Sequence, residues 1–391
     1  MTFPAAEPVA IDGVRFSVRR ARPSRKRATT PVLLLHGVPQ TSSVWRDLLP
    51  ELAKDRIVIA PDHTGLGGSE PRAPYDRPTL ARELAALVLH VLDEMGAGDD
   101  GVRVDVVGHD FGGVLALALA AERPDLVRRL VIAAAPYRKV DVLRAFHVPL
   151  LALPVVPELA LRRLSFARAA YRRAWKSPVA PDPARVDADA AAYAGADRVA
   201  GMLAYYRASA RAARTPAPDV AVERALVVWG AEDPALPIAI GQAVVKDLGR
   251  AGTDPAAIRM LVANGAGHFV LEEAADIVLP AIAAFLRDGE TMKGSRKTAA
   301  DKNAADKTAK RKTAAAPARV AAATAGKAAA MIETPLEADP ADVAEQQRDA
   351  VPPAIDLTDD ALDDDAGLAA DANRSVDVED DEEKDAEPYP S

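Results

Sequence analysis

The chain has 391 residues, no cysteine and a formal net charge of −8 at pH 7. Its length gives room for one large domain and additional segments, while the lack of cysteine excludes a disulfide framework and thiol catalysis. The N-terminus lacks a basic start followed by an apolar stretch, and the longest apolar run, 148–156, is interrupted by prolines and too short to cross a bilayer. We therefore expect a cytoplasmic protein without membrane insertion.

Strands and helices alternate along most of the first 290 residues, which predicts a mostly parallel sheet with helices on both faces. The first predicted element is a hairpin over 9–18 that turns at Asp12-Gly13. Predicted strands follow at 31–35, 56–60, 104–107, 130–134, 225–229 and 260–263. Predicted helices lie at 44–54, at 79–96 with Thr79 as its cap, at 114–122 and at 271–287.

A tight turn with glycines on both sides connects the strand from Val104 to the helix that begins at Val114, and Asp110 is its central residue. Small neighbours allow a strained conformation that lifts one side chain above the sheet. A carboxylate in this position attacks an sp3 carbon that carries a leaving group, and it forms an ester with the alkyl half. The motif therefore favours epoxides or alkyl halides as substrates. The alternative interpretation is that Asp110 caps the following helix.

Two further loops carry residues that suit this chemistry. Asp233 follows the predicted strand 225–229, and His268 follows the last predicted strand at 260–263. The chain order Asp110, Asp233, His268 is nucleophile, acid and base. Glu232, next to Asp233, is an alternative acid. The segment after the sixth strand, 132–136, contains no carboxylate and therefore offers no further alternative.

Residues from about 9 to 289 resemble the α/β-hydrolases that have an aspartate nucleophile, namely the epoxide hydrolases and haloalkane dehalogenases. The matching segments are H-G-V-P at 36–39, W-R at 45–46, P-D-H-T-G-L-G-G-S at 61–69, G-H-D-F-G-G at 108–113 and G-H-F at 267–269. The resemblance implies an α/β-hydrolase fold, a mostly parallel sheet with a helical lid inserted after the sixth strand. It also implies an oxyanion hole formed by the backbone N–H groups of Val38 and Phe111. No cofactor or metal is expected.

The segment 137–219 is predicted to form only helices, as a lid that closes the pocket and excludes water. Tyr206, followed by Arg207, resembles the lid tyrosine with which epoxide hydrolases protonate the opening epoxide oxygen. Tyr171 and Tyr193 are candidates for a second donor. Aromatic packing beneath the lid is the alternative interpretation for all three tyrosines.

A dehalogenase must stabilise a leaving halide, commonly through side chains at the positions of Val38 and Phe111. Neither residue carries a side-chain hydrogen-bond donor, which favours epoxide opening. Trp175 in the lid keeps halide binding open, so haloalkane dehalogenation is the alternative function. In both cases we expect a small, apolar substrate.

The predicted domain boundaries are a hydrolase core at 1–136 and 220–289, the lid at 137–219 and a disordered tail at 290–391. Residues 290–330 hold ten Lys and Arg against three Asp and Glu, whereas 331–391 hold three against twenty-one. Such segments bury too little apolar surface to fold. The basic piece has no aromatic residue for stacking, which disfavours nucleic-acid binding without excluding it. We expect a monomer or homodimer. A tail-mediated binding or assembly role is a further alternative, but a complete nucleophile, acid and base favour an enzyme.

Overall fold

The computed structural model describes residues 2–23, 29–98, 101–136, 147–153, 161, 165–212 and 218–288, and the backbone of 331–332. Within these residues nine strands form one sheet in the order β1-β2-β4-β3-β5-β6-β7-β8-β9. Neighbouring strands from β4 to β8 run parallel, while the β1–β2, β2–β4 and β8–β9 pairs are antiparallel. Their bounds are β1 Glu7–Ile11, β2 Val14–Ala21, β3 Val32–Leu35, β4 Val58–Pro61, β5 Val104–His109, β6 Val127–Ala133, β7 Arg224–Gly230, β8 Ile258–Ala263 and β9 Met331–Ile332.

Helices cover the two faces of the sheet and form the lid. They are α1 Leu49–Leu52, α2 Arg77–Glu94, α3 Phe111–Glu122, α4 His147–Ala152, α5 Phe166–Ala174, α6 Pro183–Ala192, α7 Ala196–Ala212, α8 Ile238–Arg250, α9 Val270–Glu273 and α10 Ala275–Arg287. Two 3-10 helices span Ser42–Arg46 and Pro255–Ala257. The described helices between β6 and β7 are α4 to α7, in agreement with an inserted helical lid. None of the described helices combines the length and hydropathy that a membrane crossing requires.

The burial of the central strands and of α3 agrees with their apolar composition. All four residues of β3 and all six of β5 are buried, as expected for parallel strands with helices on both faces. α3 is apolar around its whole circumference, and every residue from Phe111 to Ala120 is buried. This central helix therefore begins deep in the molecule, and its N-terminus lies directly after β5.

The helices predicted at 44–54 and 271–287 need correction. The helix predicted at 44–54 is instead the 3-10 helix Ser42–Arg46 followed by the short α1. Pro50 lies in the first turn of α1, and its ring prevents a helix from continuing through this position. The final helix predicted at 271–287 is divided into α9 and α10 at Ala274, whose φ of −129° and ψ of 38° are not helical.

The cap predicted for the helix 79–96 was also wrong. α2 begins at Arg77, and its cap is Asp76, whose side chain accepts a hydrogen bond from the N–H of Thr79. A carboxylate before a first-turn proline is a strong N-cap, so the helix starts two residues earlier than expected. The predicted tail, 290–391, lies outside the described residues except for Met331–Ile332, whose backbone pairs with Met260 and Leu261.

Candidate active site

The turn between β5 and α3 is tightly constrained by the backbone around it. Asp110, at its tip, has φ 50° and ψ −122°, which is a strained conformation for a residue with a side chain. A Cβ on Gly108 would lie 2.3 Å from the carbonyl oxygen of Gly112, and one on Gly112 would lie 2.1 Å from that of Leu35. Only glycine fits at these two positions, so the sequence motif and the sharp turn have the same cause.

The carboxylate of Asp110 makes no side-chain cap hydrogen bond to the helix that follows it. Instead, Oδ2 accepts a hydrogen bond of 2.9 Å from the backbone N–H of Val38, and the backbone N–H of Phe111 also bonds to this carboxylate. The helix-cap interpretation of Asp110 is therefore wrong. The N–H groups of Val38 and Phe111, the two predicted oxyanion-hole donors, thus both bond to the Asp110 carboxylate.

His268 lies beside Asp110 and bridges it to Asp233. The Nδ1 atom of His268 is 2.8 Å from Asp233 Oδ2, and its Nε2 atom is 3.7 Å from Asp110 Oδ1. The other oxygen of Asp233 accepts hydrogen bonds from the N–H groups of Ala235 and Leu236, both of 2.9 Å. Asp233 is thus held by the backbone and can orient the imidazole ring. Its neighbour Glu232 is exposed to solvent, so the structure brings Asp233 and not Glu232 to His268.

Burial and neighbouring charges set the protonation of this trio. Burial raises the pKa of Asp110, although His268 and the N–H groups of Val38 and Phe111 oppose that rise. Burial alone would lower the pKa of His268, but the charge and hydrogen bond of Asp233, with the charge of Asp110, raise it to about 9. The pKa of about 9 keeps His268 in the imidazolium form at neutral pH, beside Asp233 and Asp110.

Tyr206 and Tyr205, both on α7, approach the site from the lid. The Tyr206 ring meets Phe111 edge-on with centroids 5.2 Å apart, and burial, followed by the charge of Asp110, raises its phenol pKa well above the usual value of 10. The phenol is therefore a neutral proton donor near Asp110. The Tyr205 hydroxyl donates to the carbonyl oxygen of Thr64 at 3.1 Å. α7 packs closely here, since a Cβ on Gly201 would lie 2.2 Å from the carbonyl oxygen of Gly65.

The other predicted lid residues are engaged elsewhere. The hydroxyl of Tyr193 donates to the carbonyl oxygen of Gln40 at 2.8 Å, and that of Tyr171 lies 2.8 Å from Asp189 Oδ2 and 3.0 Å from Glu272 Oε2. The indole N–H of Trp175 donates to the carbonyl oxygen of Val179 at 2.8 Å. In this structure the polar groups of Tyr171, Tyr193 and Trp175 bond within the protein, and their roles as a second donor or a halide ligand stay predictions. Their polar groups already have partners within the lid and its base.

Several buried polar residues near the site were missed by the sequence analysis. The side-chain amide of Gln40 donates to Glu272 at 2.6 Å and to the Tyr171 hydroxyl at 3.1 Å. His109 Nε2 lies 2.9 Å from the carbonyl oxygen of His268, and since burial lowers the pKa of His109 to about 3, it is neutral and donates from Nε2. Glu273 accepts backbone N–H groups on both sides of His268. The only signal for these residues in the sequence was that each is a polar residue beside a catalytic motif.

No group of three His, Asp or Glu side chains in the described part of the chain is arranged to hold a metal ion. The candidate site offers several reactive groups of its own. These are a strained carboxylate, a histidine paired with a second carboxylate, two backbone donors and a buried phenol.

Comparison with known proteins shows what the chain as a whole is similar to. The profile of the Alpha/beta hydrolase family matches residues 32–281. A soluble epoxide hydrolase of Corynebacterium sp. (strain C12) is 45% identical over 103 residues, which are 26% of this chain and 33% of that protein. Haloalkane dehalogenase 2 of Mycobacterium bovis is 29% identical over 259 residues, 64% of this chain and 86% of that protein. The chain thus spans about a third of the length of the curated relative with the higher identity.

Solved structures support the fold. The epoxide hydrolase CorEH superposes with a TM-score of 0.60 at 23% sequence identity, covering 72% of this chain and 98% of that one. A thermophilic esterase from Thermogutta terrifontis superposes with a TM-score of 0.55 at 21% identity, covering 73% and 98%. Enzymes with different reactions thus share this fold, and the choice among reactions depends on the side chains of the site.

Proposed function

The chain belongs to the Alpha/beta hydrolase family, and we propose that it hydrolyses epoxides to diols through a covalent ester on Asp110. The observation that carries this proposal is an aspartate at the tip of the strained turn, with Val38 and Phe111 donating to its carboxylate and His268 beside it. A carboxylate in this place cannot be replaced by a serine in the same reaction, because it attacks alkyl and not acyl carbon.

The first step forms the ester. Asp110 Oδ2 is held by the N–H of Val38, which leaves Oδ1, on the side of His268, to attack one carbon of the epoxide. A new C–O bond forms as the ring C–O bond breaks, and the electron pair of that bond moves to the ring oxygen. Tyr206 gives its proton to this oxygen. Its raised pKa keeps the phenol protonated until the alkoxide develops.

The second step hydrolyses the ester. His268 takes a proton from water, and the resulting hydroxide attacks the carboxyl carbon of Asp110. Negative charge then develops on the oxygen that faces the N–H groups of Val38 and Phe111, which stabilise it. Collapse of this intermediate breaks the bond between the carboxyl carbon and the former Oδ1, which takes the proton from His268 and leaves as part of the diol. Asp110 keeps one oxygen from water, and its acid proton restores the phenol of Tyr206.

Haloalkane dehalogenation is the second candidate function, and the long match to haloalkane dehalogenase 2 favours it. Three observations support the epoxide reaction over it. Val38 and Phe111 offer no side-chain donor to a halide, the indole N–H of Trp175 is bound to Val179, and a neutral phenol lies near Asp110. A halide leaves without a proton, so a buried acid would have no purpose in that reaction.

The proposal is tested by trapping the ester. The His268→Gln variant should still be alkylated but should hydrolyse the ester slowly, so mass spectrometry should show the mass of one substrate added to the peptide that contains Asp110. Asp110→Asn is the matched control and should gain no mass. Rapid turnover by the His268→Gln variant would contradict the role of His268.

The substrate class is tested on the unmutated enzyme with a panel of epoxides and haloalkanes. We expect diol formation to be faster than halide release. Release of chloride or bromide at rates well above diol formation would overturn the epoxide assignment and leave the ester mechanism standing.

A further inference from the structure

Glu273 is a buried carboxylate that binds four backbone N–H groups. Its Oε2 accepts from Gly267 at 2.9 Å, from Lys176 at 2.6 Å and from Ser177 at 2.8 Å, and its Oε1 accepts from Phe269 at 2.9 Å. Only 7% of the residue is exposed. Four donors on one ionised group form strong, charge-assisted bonds and leave it little freedom to rotate.

These donors come from two separate segments of the chain. Gly267 and Phe269 flank His268 in the loop after β8, while Lys176 and Ser177 follow the lid helix α5. The two segments also touch directly. The N–H of His268 donates to the carbonyl oxygen of Ala174 at 3.1 Å, and a Cβ on Gly267 would lie 2.2 Å from that oxygen. Glycine at 267 is thus required for the lid segment to lie against the loop.

We propose that Glu273 is a positioning residue that joins the loop carrying His268 to lid segment 174–177. This inference rests on the proposed function for its kinetic consequence, but the geometry of the link stands on its own. Its charge is also among those that raise the pKa of His268. If the lid segment moves away, Glu273 loses two of its donors and the loop loses a support of its backbone. The correct placement of the base therefore depends on the docked lid.

The Glu273→Gln variant tests the link. Glutamine has almost the same shape, but its NH2 group cannot accept, so at least one of the N–H groups loses its acceptor. We expect hydrolysis of the ester to slow by roughly 10- to 100-fold, the range for a misplaced catalytic group, which lowers kcat and KM together and leaves kcat/KM, set by ester formation, nearly unchanged. The pH at which the histidine titrates in the rate profile should also fall. Asp276→Asn removes an equal charge from an exposed position nearby and should change neither.

A second measurement needs no substrate. Amide hydrogen exchange of the unmutated protein, followed residue by residue, should give one common opening free energy for Gly267, Phe269, Lys176 and Ser177. In the Glu273→Gln variant all four should exchange faster, while the amides of β5 should not change. If Lys176 and Ser177 exchange on a faster time scale than Gly267 and Phe269, the two segments open independently and the proposal is wrong.

The two measurements separate this inference from the proposed function. Absence of turnover on every epoxide and haloalkane would refute the function, while the exchange data would still decide whether Glu273 joins the segments. Unchanged ester hydrolysis and an unchanged pH profile in Glu273→Gln would refute the positioning role even if the enzyme is an epoxide hydrolase.

Discussion

At the scale of single residues, the proton on His268 is held by charges that the reaction itself changes. In the resting site, Asp110 and Asp233 keep the imidazole protonated up to a pKa of about 9. An imidazolium cannot accept a proton from water. In the proposed reaction Asp110 becomes an ester and loses its charge, so one of the interactions that hold the proton is removed. His268 then becomes a base at lower pH, at the stage when a base is needed.

This coupling predicts different histidine titrations in two forms of the protein. Asp110→Asn imitates the neutral ester, so the pKa of His268 in this variant should lie below the value of about 9 in the unmutated enzyme. Nitrogen NMR of the labelled ring, recorded against pH, measures both values. Equal pKa values would show that Asp110 has no part in holding the proton.

The same shift affects stability, and its sign follows from the direction. The folded pKa of His268 lies above the unfolded value of 6.5. The ion pairs of His268 therefore stabilise the fold fully below pH 6.5, and this contribution is lost as pH rises through about 9.

Tyr206 is the residue whose replacement best separates the two candidate reactions. Tyr206→Phe should lower kcat/KM for epoxides by roughly 10- to 10⁴-fold, the span for one general acid, and should matter little for haloalkanes. Tyr205→Phe is the control, because that hydroxyl binds the carbonyl oxygen of Thr64. We expect it to cost about 1 kcal/mol of stability, the net worth of one hydrogen bond, with kcat/KM almost unchanged. Equal losses of kcat/KM in Tyr206→Phe and Tyr205→Phe would contradict the role of Tyr206 as the proton donor.

At the scale of elements, Asp189 is a buried acid through which α6 contacts the base of the lid. Asp189 and Glu272 face the same Tyr171 hydroxyl, and one phenol proton cannot be donated fully to both carboxylates. Asp189 Oδ1 is buried and has no hydrogen-bond partner among the described residues. Burial, with the charge of Glu272 and against the bond from Tyr171, raises the pKa of Asp189 to about 7.

Because the pKa of Asp189 is raised in the folded state, the fold is less stable at higher pH. Between the unfolded pKa of 3.8 and the folded pKa of about 7, the folded protein binds a proton that the unfolded chain does not. The free energy of unfolding should therefore fall across this window by up to about 1.4 kcal/mol per pH unit.

Asp189→Asn should cancel this loss. The amide stays neutral and its oxygen still accepts from Tyr171, so thermal unfolding at pH 8 should occur at a higher temperature than in the unmutated protein. Near pH 4 the two proteins should unfold together. Asp187→Asn on the same helix is the control, because Asp187 is exposed and pairs with Arg168 at the surface. A variant that unfolds earlier at pH 8 would contradict the raised pKa.

Sequence alone located Asp110, Asp233 and His268 because each follows a strand, and parallel strands end at the same edge of a sheet. The lid residues were harder to place. Tyr171 and Trp175 looked like substrate contacts, yet the direction in which a lid helix turns its side chains depends on packing against Gln40 and other distant residues. Glu273 was invisible for a similar reason, because an acid at the start of a helix is usual and its four donors lie in other segments.

At the scale of the whole molecule, the last described helix, α10, ends at Arg287. α10 completes the cover of the sheet, and Asp288 pairs with Arg224 at 2.7 Å. We expect a chain shortened to residues 1–289 to keep its fold and its kcat/KM. Steady-state kinetics and thermal unfolding of both lengths measure this. A large loss of kcat/KM would show that residues beyond 289, among them Met331–Ile332 at the edge of β8, support the active site.

The contacts that bend the chain at Asp110 have a consequence for how this scaffold changes its chemistry. Gly108 and Gly112 make the turn, and the bonds that hold the carboxylate come from the backbone N–H groups of Val38 and Phe111. The scaffold therefore constrains the backbone of the nucleophile and leaves its identity free, provided that the residue accepts a φ of 50°. In the proposed chemistry a carboxylate at this tip attacks alkyl carbon, whereas a serine held in the same place would attack acyl carbon. One position would thus set the class of substrate while the sheet, helices and lid stay the same.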